Sequence, residues 1–216
     1  MIFYLIGVLG YYKLANKQAP AGICLLFFAT VTIAPAATLL FLLDKHWVFQ
    51  VLAYAGGLFC RTFIEYFVHR FLMHGKEKED YYKSDHFQHH ANPTIIFTGQ
   101  VKRILFSAVA IFITWCSISF SSYLFLPAGI ITGFAMYVNM HRILHSAWAS
   151  KWFSGLQKFH MQHHLGQTEK CFGVTTTLWD RLFNTTSKAG KTISAKKIEI
   201  YFGDNSKQLI NHKQAV

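Results

Sequence analysis

Charge is what this 216-residue sequence has least of. Asp, Glu, Lys and Arg make up 14% of it, against 52% hydrophobic and 17% aromatic residues. Soluble domains carry roughly 25% charged residues, so the polar coat of an ordinary globule is missing and the surplus apolar surface is expected to face lipid. Acidic residues are the scarcer sign, ten against 21 Lys and Arg, leaving a net charge of +11. The basic residues flank apolar runs instead of forming one base-reading face, so they point to membrane headgroups and away from nucleic acid. Cysteine is scarce too: Cys24, Cys60, Cys116 and Cys171 stand alone, which excludes a disulfide framework and zinc-finger spacing. The first three lie in apolar runs, where a thiol behaves as a small hydrophobe. No basic segment or small-residue cleavage site marks the opening residues, so the N-terminus is expected to be retained.

What is present is long and apolar. Hydrophobic runs cover about 20–43, 47–68 and 104–140, the last divisible near Ser121-Ser122. A crossing needs about 20 apolar residues, so the expected fold is an all-α integral membrane protein with four transmembrane helices in two hairpins. Pro35 is placed to kink the first span. The chain is expected to form one domain, 1–216, with an interfacial segment at 1–19 and a basic tail at 188–216, where six Lys oppose Glu199 and Asp204. That tail suits contact with anionic headgroups. Lys13 and Lys17, the group Lys76, Lys78, Lys83, Lys102 and Arg103, and the pair Lys151 and Lys158 fall on one side of the spans. The other loops carry only Asp44 and Lys45, so both termini and the middle loop are expected in the cytosol, in a bacterial inner membrane or the endoplasmic reticulum.

Histidine supplies the chemistry. Of 12 His, all but His46 and His212 fall in four groups: His69 and His74; His86, His89 and His90; His141 and His145; His160, His163 and His164. Residues three and four apart share a helix face, so three of these groups can aim several imidazoles at one point. His69 and His74 are five apart, about 140° round an ideal helix, so the second helix must end or distort there, with Gly75 as a stop. From Trp47 to Val68 a helix rises about 33 Å, which puts His69 at the far membrane boundary. His141 closes the fourth helix on the same side, and the other groups follow in cytosolic segments forming a helical cap. Ten imidazoles are too many for one ion and suit two, so a dinuclear site is expected, with no catalytic residue beyond the metal ligands. An all-nitrogen donor set fits Fe, Zn, Cu or Ni, and spacing alone leaves the metal open. A non-enzymatic metal-binding membrane protein is the competing reading.

Three side chains are placed to support ligands. Glu65 lies four residues before His69 and Tyr137 four before His141, within reach of a ring's distal nitrogen. Glu65 is also four from Arg61, with which it can pair. Asp180 is placed to orient a histidine of the last group or to cap a helix. Asn184-Thr185-Thr186 matches a glycosylation acceptor, but its cytosolic placement excludes that modification.

The stretches Glu65-Tyr-Phe-Val-His-Arg-Phe-Leu-Met-His74, His86-Phe-Gln-His-His90, His141-Arg-Ile-Leu-His145, His160-Met-Gln-His-His164 and Phe172-Gly-Val-Thr-Thr-Thr-Leu-Trp-Asp-Arg-Leu-Phe183 resemble the fatty acid hydroxylase superfamily of membrane di-iron oxygenases. The five-spaced first pair and the His141/His145 pair look most like its branch that hydroxylates C2 of sphingolipid acyl chains, here without a fused cytochrome b5 domain. The resemblance implies two iron ions on the ten imidazoles, dioxygen as co-substrate, and a membrane lipid as substrate. Zinc is the expected competitor for the site in purified protein. With no flavin, haem or nicotinamide motif in the chain, electrons are expected from a separate donor such as cytochrome b5 or a ferredoxin with its reductase. A metal pair at the membrane boundary favours the α position of an acyl chain whose tail stays in the bilayer. Within the same chemistry a desaturase or a sterol or carotenoid oxidase remains an alternative.

Overall fold

A computed structural model of the chain describes residues 47–75, 84–96, 98–120, 122–187 and 194–203. The expected first span, its Pro35, the 1–19 segment, His46, His212 and most of the basic tail lie outside the described residues. Every regular element among the described residues is helical. The helices are α1 (Trp47–Phe67), α2 (Asp85–Ala91), α3 (Gln100–Phe120), α4 (Phe125–Leu144), α5 (Ser150–Leu165), α6 (Leu178–Leu182) and α7 (Ala195–Phe202). The described residues divide into two compact units, one of 47–67 and 100–137 and the other of 68–99 and 138–203, with α4 running from the first into the second.

The first unit is built for lipid. Two helices, Trp47–Met73 and Gln100–Phe120, are long and apolar enough to cross a membrane. On α3, Val101, Ile104, Ile111, Phe112 and Ile118 are all exposed. Such a face is stable against hydrocarbon and costly against water. Where α1 meets the first half of α4, small residues let the backbones touch: a Cβ on Gly57 would lie 2.2 Å from the Leu126 carbonyl oxygen, and one on Gly129 2.1 Å from that of Tyr54. This is close packing of the small-residue kind used between membrane helices. The Tyr54 hydroxyl donates to Thr132 Oγ1 at 2.9 Å beside it. Lower on α1, buried Arg61 pairs with Glu65 at 3.6 Å, and its guanidinium sits 4.0 Å above the Phe134 ring and 4.7 Å above that of Tyr137. A charge inside an apolar helix is tolerated when partnered in this way.

The second unit carries the histidines. Immediately after α1 the chain winds as a π-helix over Val68–Met73. The His74 amide donates to the His69 carbonyl at 3.2 Å, a bond spanning five residues. A π-turn is how a five-residue spacing reaches one face, and it is the local distortion the sequence demanded. Gly75 follows because a Cβ there would lie 2.2 Å from the Phe71 carbonyl oxygen. Ser84 caps α2 by accepting from the Phe87 amide at 3.2 Å, with Asp85 in the first turn facing the positive helix end. In α5 the residues before the histidines carry a kink at Phe153, with φ −126° and ψ 33°. The final turns present His160, His163 and His164 to the interior of the unit.

Candidate metal centre

All ten grouped histidines lie in the second unit, and their rings form two sets. His69, His74, His86, His90 and His163 make the first, and His89, His141, His145, His160 and His164 the second. In each set the candidate ligand nitrogens all lie within 4.8 Å of one another. The two His-x-x-His-His stretches each serve both. His86 and His90, one turn apart on α2, face the first set while His89 turns to the second; on α5, His160 and His164 face the second set and His163 the first. Neighbouring residues on a helix point about 100° apart, so a His-His doublet naturally straddles two centres. The sets adjoin at His90 and His164, whose rings stack with centroids 4.2 Å apart.

Hydrogen bonds fix which nitrogen faces inward. The Nδ1 atoms of His69, His89 and His163 approach the carbonyl oxygens of Phe172, Ile95 and Lys170 at 2.5, 2.7 and 2.7 Å. A carbonyl only accepts, so each of these rings carries its proton on Nδ1 and presents an Nε2 lone pair to the centre. Those lone pairs crowd together. His163 Nε2 lies 3.1 Å from His74 Nε2, which lies 2.7 Å from His86 Nε2. In the second set His89 Nε2 lies 3.1 Å from His141 Nε2, and His160 Nε2 lies 3.1 and 3.2 Å from those of His145 and His164. Buried Nε2 atoms of His69 and His90 have no hydrogen-bond partner. A hydrogen bond relieves one such pair at a time, whereas a cation satisfies all five nitrogens of a set. The residues present therefore fit a metal ion in each set.

The rings are also in the right protonation state. Burial, reinforced by neighbouring rings, pushes the His74 imidazole down to about 3 and that of His90 to about 2. His160, His163 and His164 are held well below the ordinary value for the same reasons. They are neutral at physiological pH, the form that binds metal.

Support around the rings comes from both side chains and backbone. Asp180, expected to orient a histidine or to cap a helix, bonds the loop that precedes it. Its carboxylate accepts from the Phe172 amide at 2.9 Å, the Gly173 amide at 2.8 Å and the Thr185 hydroxyl at 2.7 Å. It thereby holds the peptide whose carbonyl takes the His69 proton. Thr185, the third residue on this knot, is fully buried inside the glycosylation-like triplet. Glu65 and Tyr137 belong to the first unit, where both face Arg61. Sequence reasoning missed the carbonyls of Ile95, Lys170 and Phe172, since any residue supplies one. It also missed Tyr201 in the basic tail, whose ring stacks on His145 with centroids 4.5 Å apart. Cys171 belongs to neither set, and burial pushes its thiol up to about 12.

The profile of the fatty acid hydroxylase family matches residues 54–185. The chain belongs to that family. It is 33% identical over 147 residues to a dihydroceramide fatty acyl 2-hydroxylase, FAH1, of Arabidopsis thaliana, covering 62% of this chain and 60% of that protein. It is 32% identical over 145 residues to the human fatty acid 2-hydroxylase, covering 60% of this chain and 38% of the relative. To the ceramide very long chain fatty acid hydroxylase SCS7 of Saccharomyces cerevisiae it is 25% identical over 175 residues, covering 72% of this chain and 43% of the relative. The matched region thus spans 60% or less of the length of these relatives. Among solved structures, the hydroxylase domain of full-length scs7p aligns at a TM-score of 0.49 and 20% identity, covering 83% of this chain and 71% of that one.

Proposed function

We propose that this family member is a membrane lipid hydroxylase that uses dioxygen to place a hydroxyl at C2 of a fatty acid or of a sphingolipid N-acyl chain. The observation that carries the reading is the pair of all-imidazole pentads, each with its ligand nitrogens within 4.8 Å. Two iron ions, one in each pentad, would supply the activation of dioxygen and the attack on an unactivated C–H bond. His69, His74, His86, His90 and His163 would hold one ion, and His89, His141, His145, His160 and His164 the other. The activities for which the relatives are named, 2-hydroxylation of dihydroceramide fatty acyl chains and of fatty acids, favour C2.

The chain's own residues do three things in this reading. Neutral rings would hold the ions and would leave their positive charge uncompensated, unlike carboxylate-rich sites. Carbonyls of Ile95, Lys170 and Phe172 hold the Nδ1 protons and so orient the rings. Phe172 presents its ring to His69, His74 and His163 at centroid distances of 5.8, 5.5 and 5.6 Å, an apolar wall that excludes water. Glu65 and Tyr137 are proposed to support His69 and His141 from one helical turn upstream. The whole is read as one hydroxylase domain on four spans, with both termini and the metal centre on the cytosolic side. His69 follows the last residue of α1 by two positions, which would place the centre near the headgroups and an acyl C2 close to it without withdrawing the tail. Electrons would arrive from a separate carrier such as cytochrome b5 or a ferredoxin with its reductase.

Mass spectrometry of lipids from cells with and without the chain tests this. The expected product is one oxygen heavier, with fragmentation placing the hydroxyl at C2. A product lighter by two hydrogens, or a hydroxyl elsewhere on the chain, would overturn the assignment.

A further inference from the structure

The second histidine set is roofed by the last described helix. α7 lays Tyr201 flat on His145, with ring planes 19° apart, and edge-on to His164 and His160 at 5.7 and 6.4 Å. Tyr201 is 1% exposed, and its hydroxyl donates to the carbonyl of Leu144, the residue before His145, at 3.3 Å. Phe202 packs edge-on behind it at 4.8 Å. Ala147 and Met161 complete this apolar cluster, with Leu165 and Ile198 against it. Lys197 Nζ donates to the Leu165 carbonyl at the negative end of α5, which fastens α7 beside His164.

His145, His160 and His164 are also rings whose Nδ1 atoms are buried with no hydrogen-bond partner. Their orientation is not set by the carbonyl bonds that fix His69, His89 and His163, so packing must set it. Tyr201 and Phe202 also line a cavity of about 170 Å3, bounded as well by Pro93, Thr94, Arg142 and Trp148, whose wall includes His145 itself.

We propose that Tyr201 is a positioning residue for the second metal set alone: its ring holds His145, His160 and His164 in ligand geometry beside the cavity that reaches His145. This rests on the dinuclear reading above. The helix of the basic tail then does more than meet headgroups, since it completes one of the two metal sites.

The test counts ions in the full chain, purified in detergent and loaded with Fe2+ or, as a redox-inert probe, Zn2+. Wild type is expected to hold two per chain. Tyr201→Ala is expected to hold one, or to release one of two to a chelator about ten- to a hundredfold faster, the usual cost of losing support behind a ligand ring. Tyr201→Phe keeps the stack and is expected to behave as wild type. If Tyr201→Ala loses its helical circular dichroism, Tyr201→Leu, which fills the volume without a flat ring, carries the same expectation of one labile ion. Two ions released at the wild-type rate in a folded variant would overturn the inference. So would equal loss of both ions, which marks general destabilisation. A wild-type chain taking up fewer than two ions would overturn the dinuclear reading and this inference with it.

Discussion

The first histidine set has two rings tied to backbone carbonyls, and the second has one such ring and a stacked tyrosine. In the first, His69 and His163 give their Nδ1 protons to the carbonyls of Phe172 and Lys170, and Asp180 pins the loop that carries one of them. In the second, His89 is tied to the Ile95 carbonyl, while His145, His160 and His164 lean on Tyr201 and, like His90 of the first set, leave Nδ1 unpaired. The two sets share a donor type and differ in what restrains the donors. A carbonyl bond fixes tautomer and ring direction together; a stacked ring fixes the plane and leaves the tautomer to the ion. His69 and His163 of the first site are therefore preformed by the backbone, whereas the His145 side of the second depends more on its ion and on α7.

The largest expected effect comes from removing a ligand that joins the sets. His163 belongs to the first set yet shares α5 with His160 and His164 of the second. His163→Ala is expected to lower C2-hydroxylated lipid by more than about a hundredfold, beyond the range seen when only a ligand's support is lost. Metal analysis should find the second ion retained. Loss of both ions would break the comparison, since it would make the two sets one cooperative unit.

Asp180→Ala comes next. The fully buried carboxylate accepts two backbone amides and a hydroxyl, so its removal strands donors at about 1 to 3 kcal/mol each. Chemical denaturation should report a loss of about 3 kcal/mol. Metal titration should report weakening of the first site alone, by about tenfold, because the displaced Phe172 carbonyl serves His69. Equal weakening of both sites would show that the loop supports the unit at large.

Much of this was legible in the sequence, and the limits have physical causes. The His-x-x-His-His spacing announces shared helix faces, and the five-residue gap from His69 to His74 demanded the distortion that the π-turn supplies. How the ten rings divide was not legible. The doublets His89-His90 and His163-His164 each split between sets, and that follows only from how α2 and α5 are turned. The backbone carbonyls were invisible because every residue has one. Tyr201 was hidden because it lies 37 positions beyond His164 in a stretch whose composition speaks only of charge. Asp180 was singled out for a histidine or a helix end, whereas its observed bonds reach a peptide group, and sequence spacing cannot reveal a relay of that kind.

Acid sharpens the comparison from another side. His74 and His90 of the first set sit at about 3 and about 2, and His160 and His164 of the second well below the ordinary 6.5. These rings resist protonation in the folded chain and accept it in the unfolded one. Stability of the metal-free protein is therefore fully present above about pH 6.5 and is lost as pH falls from there toward 3, where the unfolded state binds more protons. Bound ions should extend the stable range downward, because they compete with protons for the same nitrogens. Both sets are depressed mainly by burial, so a pH titration of metal release is expected to free the two ions over one window. Two widely separated release steps would mean that electrostatic surroundings, and not only mechanical support, distinguish the sites.

The smallest effect is expected at Cys171, which tests whether the first set is held by the loop's backbone or by its side chains. Cys171 precedes Phe172 and has φ 62°, a left-handed conformation that costs a side-chain-bearing residue about 1 to 2 kcal/mol. Its amide donates to the Thr185 carbonyl at 2.8 Å, and that bond needs only backbone. Cys171→Gly relieves the left-handed strain but gives up a fully buried thiol and the bond its sulfur accepts from the Ser187 amide at 3.2 Å. The two changes oppose each other at about the same size, so denaturation should shift by no more than about 1 kcal/mol. If the Phe172 carbonyl is what matters, metal affinity at the first site should stay within about twofold of wild type. A tenfold drop there, with stability unchanged, would move the support from the peptide group to the packing of the thiol, and the contrast between a hydrogen-bonded set and a packed one would no longer hold.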